Sequence, residues 1–498
     1  MKTWTPEPLS HRSAVPLHTE IRHAIERAVI DGALPVGNRL PGTRDLAEAF
    51  GVHRLTVTKA IRFLENRGIL TAVAGKGVFV AKGPKYLEPP RELPPTPFFE
   101  GIAEGAIEGI DIPDRSGVLG RFVAQTLQNE HIGFAAGFPP ESLIPGGLLK
   151  RTASQVMKDP SLGNPFSYAH PEGDPRLIAQ IERLLEERGY ALGKDDRILI
   201  TSGAEEAISL SLECFFNRTK GLIIESPGYM GTIAACRQRH IPMCPAPVDH
   251  GGVHPGSVER YLKSHEAVGL YTVPTYQNPT GITQQGRRRE KLMALSTHYG
   301  AVIIEDDTYM DLRFGGRPIA PLKSLDGGEN VIYIGSFSKS LAPGLRLGFL
   351  VATGDRALML KHYKETWDIS TNSLSQAIVA AFIESGAYRR HLHRVRRIYK
   401  ERRDAMLAAL EAELFGIAEF TKPKGGMHIW VMLQQAVNLT RIEERAGAQG
   451  VIFAPSNLFF EDGRKTSAFR LNFTANDTDT IREGISRLAG VIKQEIKK

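Results

Sequence analysis

The segment VIYIGSFSKSLAPGLRLGF, residues 331–349, decides the fold predicted for most of this chain, because it joins a strand-like run to a polar loop. Four runs of the same kind precede it, and helix-length stretches separate them. Runs that are apolar on both faces are typical of a mainly parallel sheet covered by helices. We therefore predict an α/β domain built on RILIT (197–201), GLIIE (221–225), GLYTV (269–273), AVIIE (301–305) and VIYIG (331–335).

The loop after the last run carries a lysine among phosphate-binding residue types. Ligands of such sheets collect beyond the carboxyl ends of the strands, and Lys339 lies there. A lysine amine can form a Schiff base with an aldehyde cofactor. Ser336, Ser338 and Arg346 add hydroxyl and guanidinium donors that suit a phosphate dianion. A single lysine is far more often an ordinary surface residue, so the interpretation of Lys339 as a cofactor-binding residue depends on the neighbouring Ser336, Ser338 and Arg346.

Two other strand ends carry residues that suit a flat aromatic cofactor. Asp306 directly follows AVIIE, where its carboxylate can keep a pyridine nitrogen protonated; a helix-capping aspartate is the alternative. Tyr309 comes three residues later. Asn278, in YQNPTG, can donate to a phenolic oxygen, although an Asn-Pro turn alone means little. These residues are expected at the same sheet edge as the lysine.

Three further segments supply binding groups. TSGAEEA opens a helix after RILIT and leaves the backbone amides of Gly203, Ala204 and Glu205 free for a phosphate. Tyr229, in ESPGYM, can stack on a ring. Arg470, in FRLNFT, can hold a substrate carboxylate, or is a surface arginine beside a strand.

The motifs SGA..A, SPGY, NPTG, DDxxY and SxSK…R occur in the order found in fold-type I aminotransferases, which residues 130–498 resemble. The resemblance implies a small C-terminal α+β subdomain and the cofactor pyridoxal 5′-phosphate, with Lys339, Asp306 and Tyr309 as catalytic residues. The further roles that it implies are Lys339 bonded to the cofactor, Asp306 at the pyridine nitrogen, Asn278 and Tyr309 at the ring hydroxyl, Tyr229 stacked on the ring, Ala204, Glu205, Ser336, Ser338 and Arg346 at the phosphate, and Arg470 at the substrate carboxylate.

Two positions qualify that resemblance. Tyr168, in YAHPEG, matches a tyrosine that reaches the neighbouring subunit's phosphate in the family, which implies a homodimer. Glu205 stands where glutamine or serine is common, and its carboxylate would repel phosphate unless only its backbone amide is used. No residue pattern indicates a metal site.

The N-terminal residues predict a small helical module with a hairpin. Leu17, Ile21, Ile25 and Val29 recur at helical spacing; a second helix is expected at PGTRDLAEAF, with Thr43 as its N-cap. A third is expected in VHRLTVTKAIRFLENRG, and two strands flank the turn in ILTAVAGKGVFV. The exposed start of the third helix, typical of a recognition helix, carries His53, Arg54, Thr56, Thr58 and Lys59.

Residues 14–81 resemble the winged helix-turn-helix of the GntR family, on the pattern LPGTRDLAEAFGVHRLTVTKAIRFLENRGIL. The resemblance implies that this module binds DNA, with contacts from Arg44, Arg54, Thr56, Thr58 and Lys59 and with Gly75 and Lys76 at the wing tip. Gly42 stands where the family usually has serine, and the wing lacks the arginine often found before its glycines.

Composition supports a two-part intracellular protein. Of the net charge of +7, residues 1–83 carry +5, from 12 Lys or Arg and 7 Asp or Glu, which favours an anionic partner or else a solvated basic face. Six prolines between Pro84 and Pro97 predict a semi-rigid linker. We expect a DNA-binding domain at 1–82, a linker at 83–130 and a cofactor-binding domain at 131–498. Three cysteines without metal spacing, and no run long enough to span a bilayer, predict a cytoplasmic protein with no membrane partner.

As a whole the chain resembles the MocR family of bacterial regulators. The resemblance implies a transcription regulator that binds promoter or operator repeats as a head-to-tail homodimer and senses an amine, an amino acid or the cofactor itself. Two alternatives remain open: a working aminotransferase that retains a DNA-binding domain, and a basic domain that only holds the dimer together.

Overall fold

The computed structural model describes residues 4, 6, 17–66, 68–73, 75–81, 131–162, 164–325 and 328–497, with only the backbone at Asn66 and Leu162. The chain divides into two compact units, residues 1–111 and 112–498. The predicted linker, 83–130, lies outside the described residues. Among the described residues, no helix is both long enough and apolar enough to cross a bilayer.

The described residues of the small unit form three helices and a hairpin. Its elements are α1 (Leu17–Ile30), α2 (Thr43–Phe50), α3 (Arg54–Asn66), β1 (Leu70–Val73) and β2 (Gly77–Val80). β1 and β2 pair antiparallel. The apolar stripe predicted for the first helix faces a shared core, in which Ile21, Ile25, Phe50 and Val57 are buried.

The predicted N-cap of the second helix is wrong by one residue. α2 begins at Thr43, and Gly42 is the capping residue, with extended backbone and no side chain to offer. Asp45, in the first turn, accepts a hydrogen bond from the Gly42 amide at 3.1 Å instead. Gly51 ends the helix, because its φ of 68° lies in the left-handed region.

The large unit alternates strands and helices along most of its length. Its elements are β3 (Ile132–Gly133), α4 (Gly146–Lys158), α5 (Pro175–Glu186), β4 (Asp196–Thr201), α6 (Ala204–Phe215), β5 (Gly221–Ser226), α7 (Met230–Gln238), β6 (Met243–Asp249), β7 (Gly252–Val253), α8 (Pro255–Lys263), β8 (Ala267–Thr272), α9 (Gly286–Tyr299), β9 (Val302–Asp306), β10 (Val331–Ser336), β11 (Gly348–Thr353), α10 (Gly354–Trp367), α11 (Ser373–Glu384), α12 (Ala387–Leu414), β12 (Ala418–Phe420), β13 (His428–Leu433), α13 (Leu439–Ala448), β14 (Val451–Ile452), β15 (Ala454–Pro455), β16 (Ala468–Asn472) and α14 (Thr478–Ile496).

The central sheet confirms the predicted α/β class. Its described strands run in the order β4-β11-β10-β9-β8-β5-β6-β7. The five consecutive strands β10, β9, β8, β5 and β6 are parallel to one another. At the two sides of this parallel block, β11 pairs antiparallel with both β10 and β4, and β7 pairs antiparallel with β6. All five predicted strands belong to this sheet. Their buried faces explain why the sequence shows apolar runs instead of alternation.

A second, smaller sheet forms the C-terminal subdomain. β12, β13, β16 and β15 pair in that order, all antiparallel, and α13 and α14 follow them in the same part of the chain. β13 opens with His428 and β16 carries Arg470, so this sheet contributes side chains to the cavity described next.

Candidate cofactor cavity and DNA-binding surface

Two adjoining cavities, of about 70 and 60 Å³, lie at the carboxyl edge of the central sheet. Tyr229, Asn278, Tyr309 and Lys339 line both of them. The structure brings nearly all the predicted cofactor residues together here, although they come from six separate segments. The first cavity is also lined by Ala204, Glu205, Asp306, Ser336, Ser338 and Arg346, and the second by Arg470.

Lys339 lies three residues beyond the end of β10, with its Nζ 5.4 Å from the ring centroid of Phe138. Burial lowers the pKa of Lys339 to about 8. This value already includes the neighbouring charges: those of Glu205 and Asp306 raise the pKa of Lys339, and those of Arg470 and Arg346 lower it. A substantial fraction of the amine is therefore unprotonated, and so nucleophilic, near neutral pH.

Asp306 is the last residue of β9 and is almost completely buried. Its carboxylate accepts hydrogen bonds from the Tyr271 hydroxyl at 2.7 Å and from the Thr308 hydroxyl at 2.5 Å and amide at 3.1 Å. These donors fix the orientation of the carboxylate in the cavity. Neither Tyr271 nor Thr308 was predicted, because a strand tyrosine and a loop threonine carry no distinctive sequence signal.

Asn278 links the two cavities through its amide. Its Nδ2 donates to the Tyr309 hydroxyl at 3.2 Å, and its Oδ1 accepts from Arg470 Nη1 at 2.8 Å. Arg470 also donates to the carbonyl of Ala135, and burial lowers its pKa to about 10. Its Nε is buried without a partner among the described residues, so one donor of the guanidinium is available for a ligand.

His428 is a residue of this site that the sequence reasoning missed. Its ring is fully buried, packs edge-on against Tyr309 and lies 3.4 Å from that hydroxyl. Burial, and then the charges of Arg470 and Lys339, lower the pKa of His428 well below its usual value, so the ring is neutral. Gly137 permits this packing, because a Cβ there would lie 2.7 Å from His428 Cε1.

The start of α6 forms the end of the cavity where a phosphate was predicted. The first amides of a helix have no intrahelical acceptor, so those of Ala204 and Glu205 are available to an anion. Arg346 reaches the same end and donates to the Ser202 carbonyl at 2.9 Å. Gly203 adopts a φ of 97°, and a Cβ there would lie 3.0 Å from Arg346 Nη2.

The Glu205 side chain also reaches the cavity, where its carboxylate accepts a hydrogen bond from the Tyr229 hydroxyl. Burial raises the pKa of Glu205, while the hydrogen bond from Tyr229 and the charges of Lys339 and Arg346 partly offset the effect. Glu205, which stands where the family commonly has glutamine or serine, thus places a carboxyl group inside the cavity.

Tyr168 is not brought to this cavity. It lies in the loop before α5, and 80% of its surface is exposed. Phe166, two residues earlier, is 72% exposed.

The small unit exposes most of the residues predicted to contact DNA, whereas Thr56 and Thr58 are half-buried. Arg54, at the first position of α3, donates to the Thr43 hydroxyl at 3.0 Å, and the Thr58 hydroxyl donates to the Arg54 carbonyl at 3.0 Å. Arg44 and Lys59 are exposed. Gly75 and Lys76 are exposed in the turn between β1 and β2, where the Gly75 φ is 72°. Lys76 and Arg54 thus belong to the same compact unit.

The cavity suits pyridoxal 5′-phosphate on chemical grounds. It offers an amine with a lowered pKa, an oriented carboxylate at one end, and helix amides with an arginine at the other. The buried, unpartnered Arg470 Nε adds a donor for a carboxylate ligand. The Glu205 carboxyl group is the one feature that a phosphate would have to displace or neutralise.

Comparison with known proteins gives two family matches. Residues 144–488 match the family described as aminotransferase class I and II, and residues 17–80 match that described as bacterial regulatory proteins, gntR family. The chain is 30% identical over 489 residues to the uncharacterized HTH-type transcriptional regulator YisV of Bacillus subtilis, covering 98% of each chain. It is 29% identical to the probable rhizopine catabolism regulatory protein MocR of Rhizobium meliloti, over 96% of this chain and 94% of that one.

A solved structure supports the fold of the large unit. LysN, the alpha-aminoadipate aminotransferase of Thermus thermophilus, was crystallised with N-(5′-phosphopyridoxyl)-L-leucine; the two proteins share 31% identity, with a TM-score of 0.70, over 76% of this chain and 95% of that one. The protein belongs to the aminotransferase class I and II family, whose cofactor is pyridoxal 5′-phosphate, and its N-terminal module is of the gntR family. This is the combination of MocR-type regulators, as the sequence predicted.

Proposed function

We propose that this protein is a transcription regulator whose DNA affinity is set by an amine or amino acid that binds at Lys339. The observation that carries the proposal is the nearly complete set of cofactor-binding groups around Lys339, in a chain whose other unit exposes Arg54 at the start of a recognition helix. The proposed division is a DNA-binding domain at 1–82, a linker at 83–130 and a cofactor domain at 131–498.

In the cofactor domain, each group has a defined role. Pyridoxal phosphate, when bound, supplies an aldehyde that captures amines and a ring that withdraws electrons. Lys339 holds the aldehyde through its unprotonated amine, and Asp306 holds a proton on the ring nitrogen. Tyr309 and Asn278 donate to the ring hydroxyl, and Tyr229 packs on the ring. Phosphate is bound by the α6 amides of Ala204 and Glu205, by the hydroxyl groups of Ser336 and Ser338, and by Arg346.

Arg470 determines which ligands are retained. Its guanidinium is held by Asn278 and the Ala135 carbonyl and still has a buried Nε without a partner. A ligand carboxylate would satisfy that donor in a site from which water is largely excluded, where charge-assisted hydrogen bonds are strong. An amino acid is therefore expected to bind more tightly than the amine that lacks its carboxylate.

The active assembly is a head-to-tail homodimer in this proposal. Tyr168 and Phe166 expose most of their surface although they lie in a loop of the cofactor domain. A second copy of the chain would cover them and bring Tyr168 to the partner's phosphate site. Such a dimer presents two recognition helices to two repeats of an operator or promoter in the cytoplasm.

The proposed switch is a linkage between two ligands. An effector changes DNA affinity only if it binds two conformations of the dimer with different affinity, and the same coupling then acts in both directions. If a ligand amine took the place of Lys339 on the cofactor aldehyde, the freed Lys339 amine, with a pKa of about 8, would take up a proton near neutral pH and so alter the charge and hydrogen bonding inside the cavity. That change is the event we expect to bias the two conformations.

The test measures DNA affinity against ligand concentration. The loaded protein is titrated onto its own upstream promoter fragment at fixed salt, with and without an amino acid that alters the cofactor absorbance. We expect the ligand to change the apparent Kd in the native protein and to have no effect in Lys339→Ala. An equal shift in both proteins would refute a switch at Lys339.

A second candidate function is amino-acid transamination. It is favoured by the same cavity, because a lysine amine with a pKa of about 8 can take and return a proton near neutral pH, and by the fold shared with LysN. Catalytic turnover would yield many equivalents of keto acid per protein in the presence of an amino acid and a keto acid. Sensing would yield at most one equivalent with a lasting absorbance change.

A further inference from the structure

A third cavity, of about 150 Å³, lies between the end of α5, the loop after β9 and the start of α12. It shares no lining residue with the two cavities at Lys339. Its wall contains the apolar side chains of Leu184, Met310 and Leu392. A cavity of this volume can hold a molecule about the size of benzene.

The polar lining of this cavity carries more positive than negative charge. Arg188, Arg313, Arg389 and Arg396 contribute four positive charges, against two negative charges from Glu187 and Asp311. Arg389 pairs with Glu187 at the exposed rim. The three remaining guanidinium groups therefore have one carboxylate, that of Asp311, between them.

Asp311 is already committed to two of these arginines. Its carboxylate lies 2.5 Å from Arg188 Nη2, accepts from the Tyr388 hydroxyl at 2.6 Å, and lies 3.9 Å from Arg396 Nη2. Among the described residues, the Arg313 side chain makes no hydrogen bond or ion pair, although it is half-buried. Arg313 is thus a half-buried arginine whose guanidinium has no carboxylate partner in the described part of the chain.

Arg313 and Arg396 also repel each other. Burial lowers the pKa of Arg396, the negative charge of Asp311 partly offsets this effect, and the positive charge of Arg313 lowers the pKa again. Like charges that lie close together in a partly desolvated site destabilise the protein unless an anion neutralises them. An anion between these two side chains would remove the repulsion and satisfy the unpaired donors of Arg313.

We propose that this cavity is a second ligand site, which binds a small organic carboxylate with a compact apolar group. The carboxylate would bind Arg313 and Arg396, and the apolar part would pack on Leu184, Met310 and Leu392. Neither feature alone would select such a ligand, since an arginine pair also attracts inorganic anions and an apolar wall also accepts neutral rings. Together they favour an aromatic or branched acid.

Benzoate is the probe, and benzamide is its neutral control of nearly the same shape. Calorimetric titration of the loaded native protein should show benzoate binding, with benzamide at least about tenfold weaker. Arg313→Gln should weaken benzoate binding at least about tenfold, and Arg313→Lys, which keeps the charge, should weaken it less. Arg317→Gln is the matched control, because Arg317 is exposed on the same loop and does not line the cavity.

Benzoate could also bind Arg470 in the cofactor cavity, so Arg470→Gln decides between the two sites. Retained binding in Arg470→Gln together with loss in Arg313→Gln supports the proposal. Loss in Arg470→Gln with unchanged binding in Arg313→Gln overturns it, as do equal affinities for benzoate and benzamide in the native protein or no benzoate binding at millimolar concentration. If Arg313→Gln fails to fold, the two probes are compared in Arg470→Gln instead: a preference for benzoate that persists there supports the proposal, and its loss there overturns it.

Discussion

Capture of the cofactor by Lys339 should follow the titration of an amine with a pKa near 8. Only the unprotonated amine reacts, and burial brings the pKa of Lys339 to about 8 from an ordinary value of 10.5. At pH 7 roughly a tenth of such an amine is free, against roughly 0.03% for an ordinary lysine, a difference of about 300-fold. Rapid mixing of cofactor-free protein with pyridoxal phosphate, followed by absorbance from pH 6 to 10, measures the rate. We expect about a tenfold rise per pH unit below 8 and a plateau above it.

Two controls isolate the lysine in this experiment. Lys339→Arg removes the reactive amine and reports any capture by other lysines. Nα-acetyl-lysine in free solution, whose ε-amine is unmodified, is measured over the same range and corrects for ionisations of the cofactor itself. A rate that continues to rise tenfold per unit through pH 10 would mean that Lys339 is an ordinary solvated amine, and the argument from burial would be wrong.

Three further outcomes are expected. Arg470→Gln should weaken the binding of an amino-acid ligand about tenfold to hundredfold, because the ligand carboxylate loses its charge-assisted hydrogen bonds. The affinity for the corresponding decarboxylated amine should stay nearly unchanged. Absorbance titrations measure both affinities, and an equal loss for the two ligands would contradict the role of Arg470. Arg54→Ala should reduce the slope of log K for DNA against log salt by about one, with Arg27→Ala as an exposed control in the same unit; an unchanged slope would remove Arg54 from the interface. Phe50→Ala should destabilise the small unit by about 3–5 kcal/mol and abolish DNA binding, since Phe50 is buried in its core, yet leave the cofactor absorbance intact; a lost cofactor band would contradict the independence of the two units.

The fold of both units could be predicted because its signals are local and repeated. Five buried strands appear as apolar runs, and their ends carry the polar residues that meet at the sheet edge. β11 escaped prediction although GFLVAT is as apolar as the other strands. It follows the lysine loop directly and runs antiparallel, so it breaks the strand-helix alternation on which the reasoning relied.

The residues of the cofactor cavity could be predicted where they belong to a motif that directly follows a strand. Lys339, Asp306, Asn278 and Tyr229 are of this kind, and their roles stay predictions. His428 and Phe138 could not be found in this way, because they come from the C-terminal sheet and from a segment that precedes the first large helix. Only the folded chain shows that Gly137 leaves space for the His428 ring.

The prediction of the N-cap of α2 was wrong for a different reason. Thr43 has the side chain that N-caps prefer, and the preceding glycine offers nothing, so propensity favoured the wrong residue. The Asp45 carboxylate bonds the Gly42 amide and compensates for the missing cap. The capping preference of Thr43 was therefore overridden by the hydrogen bond between Gly42 and Asp45, which cannot be inferred from either residue alone.

The most direct test of the account is to locate the covalent bond between protein and cofactor. Borohydride reduction of the loaded protein converts the carbon-nitrogen double bond into a stable single bond, and peptide mapping by mass spectrometry then finds the labelled residue. We expect one label per chain, on Lys339, in protein that still binds its promoter fragment. A label on another lysine, or none with the cofactor in excess, would contradict it.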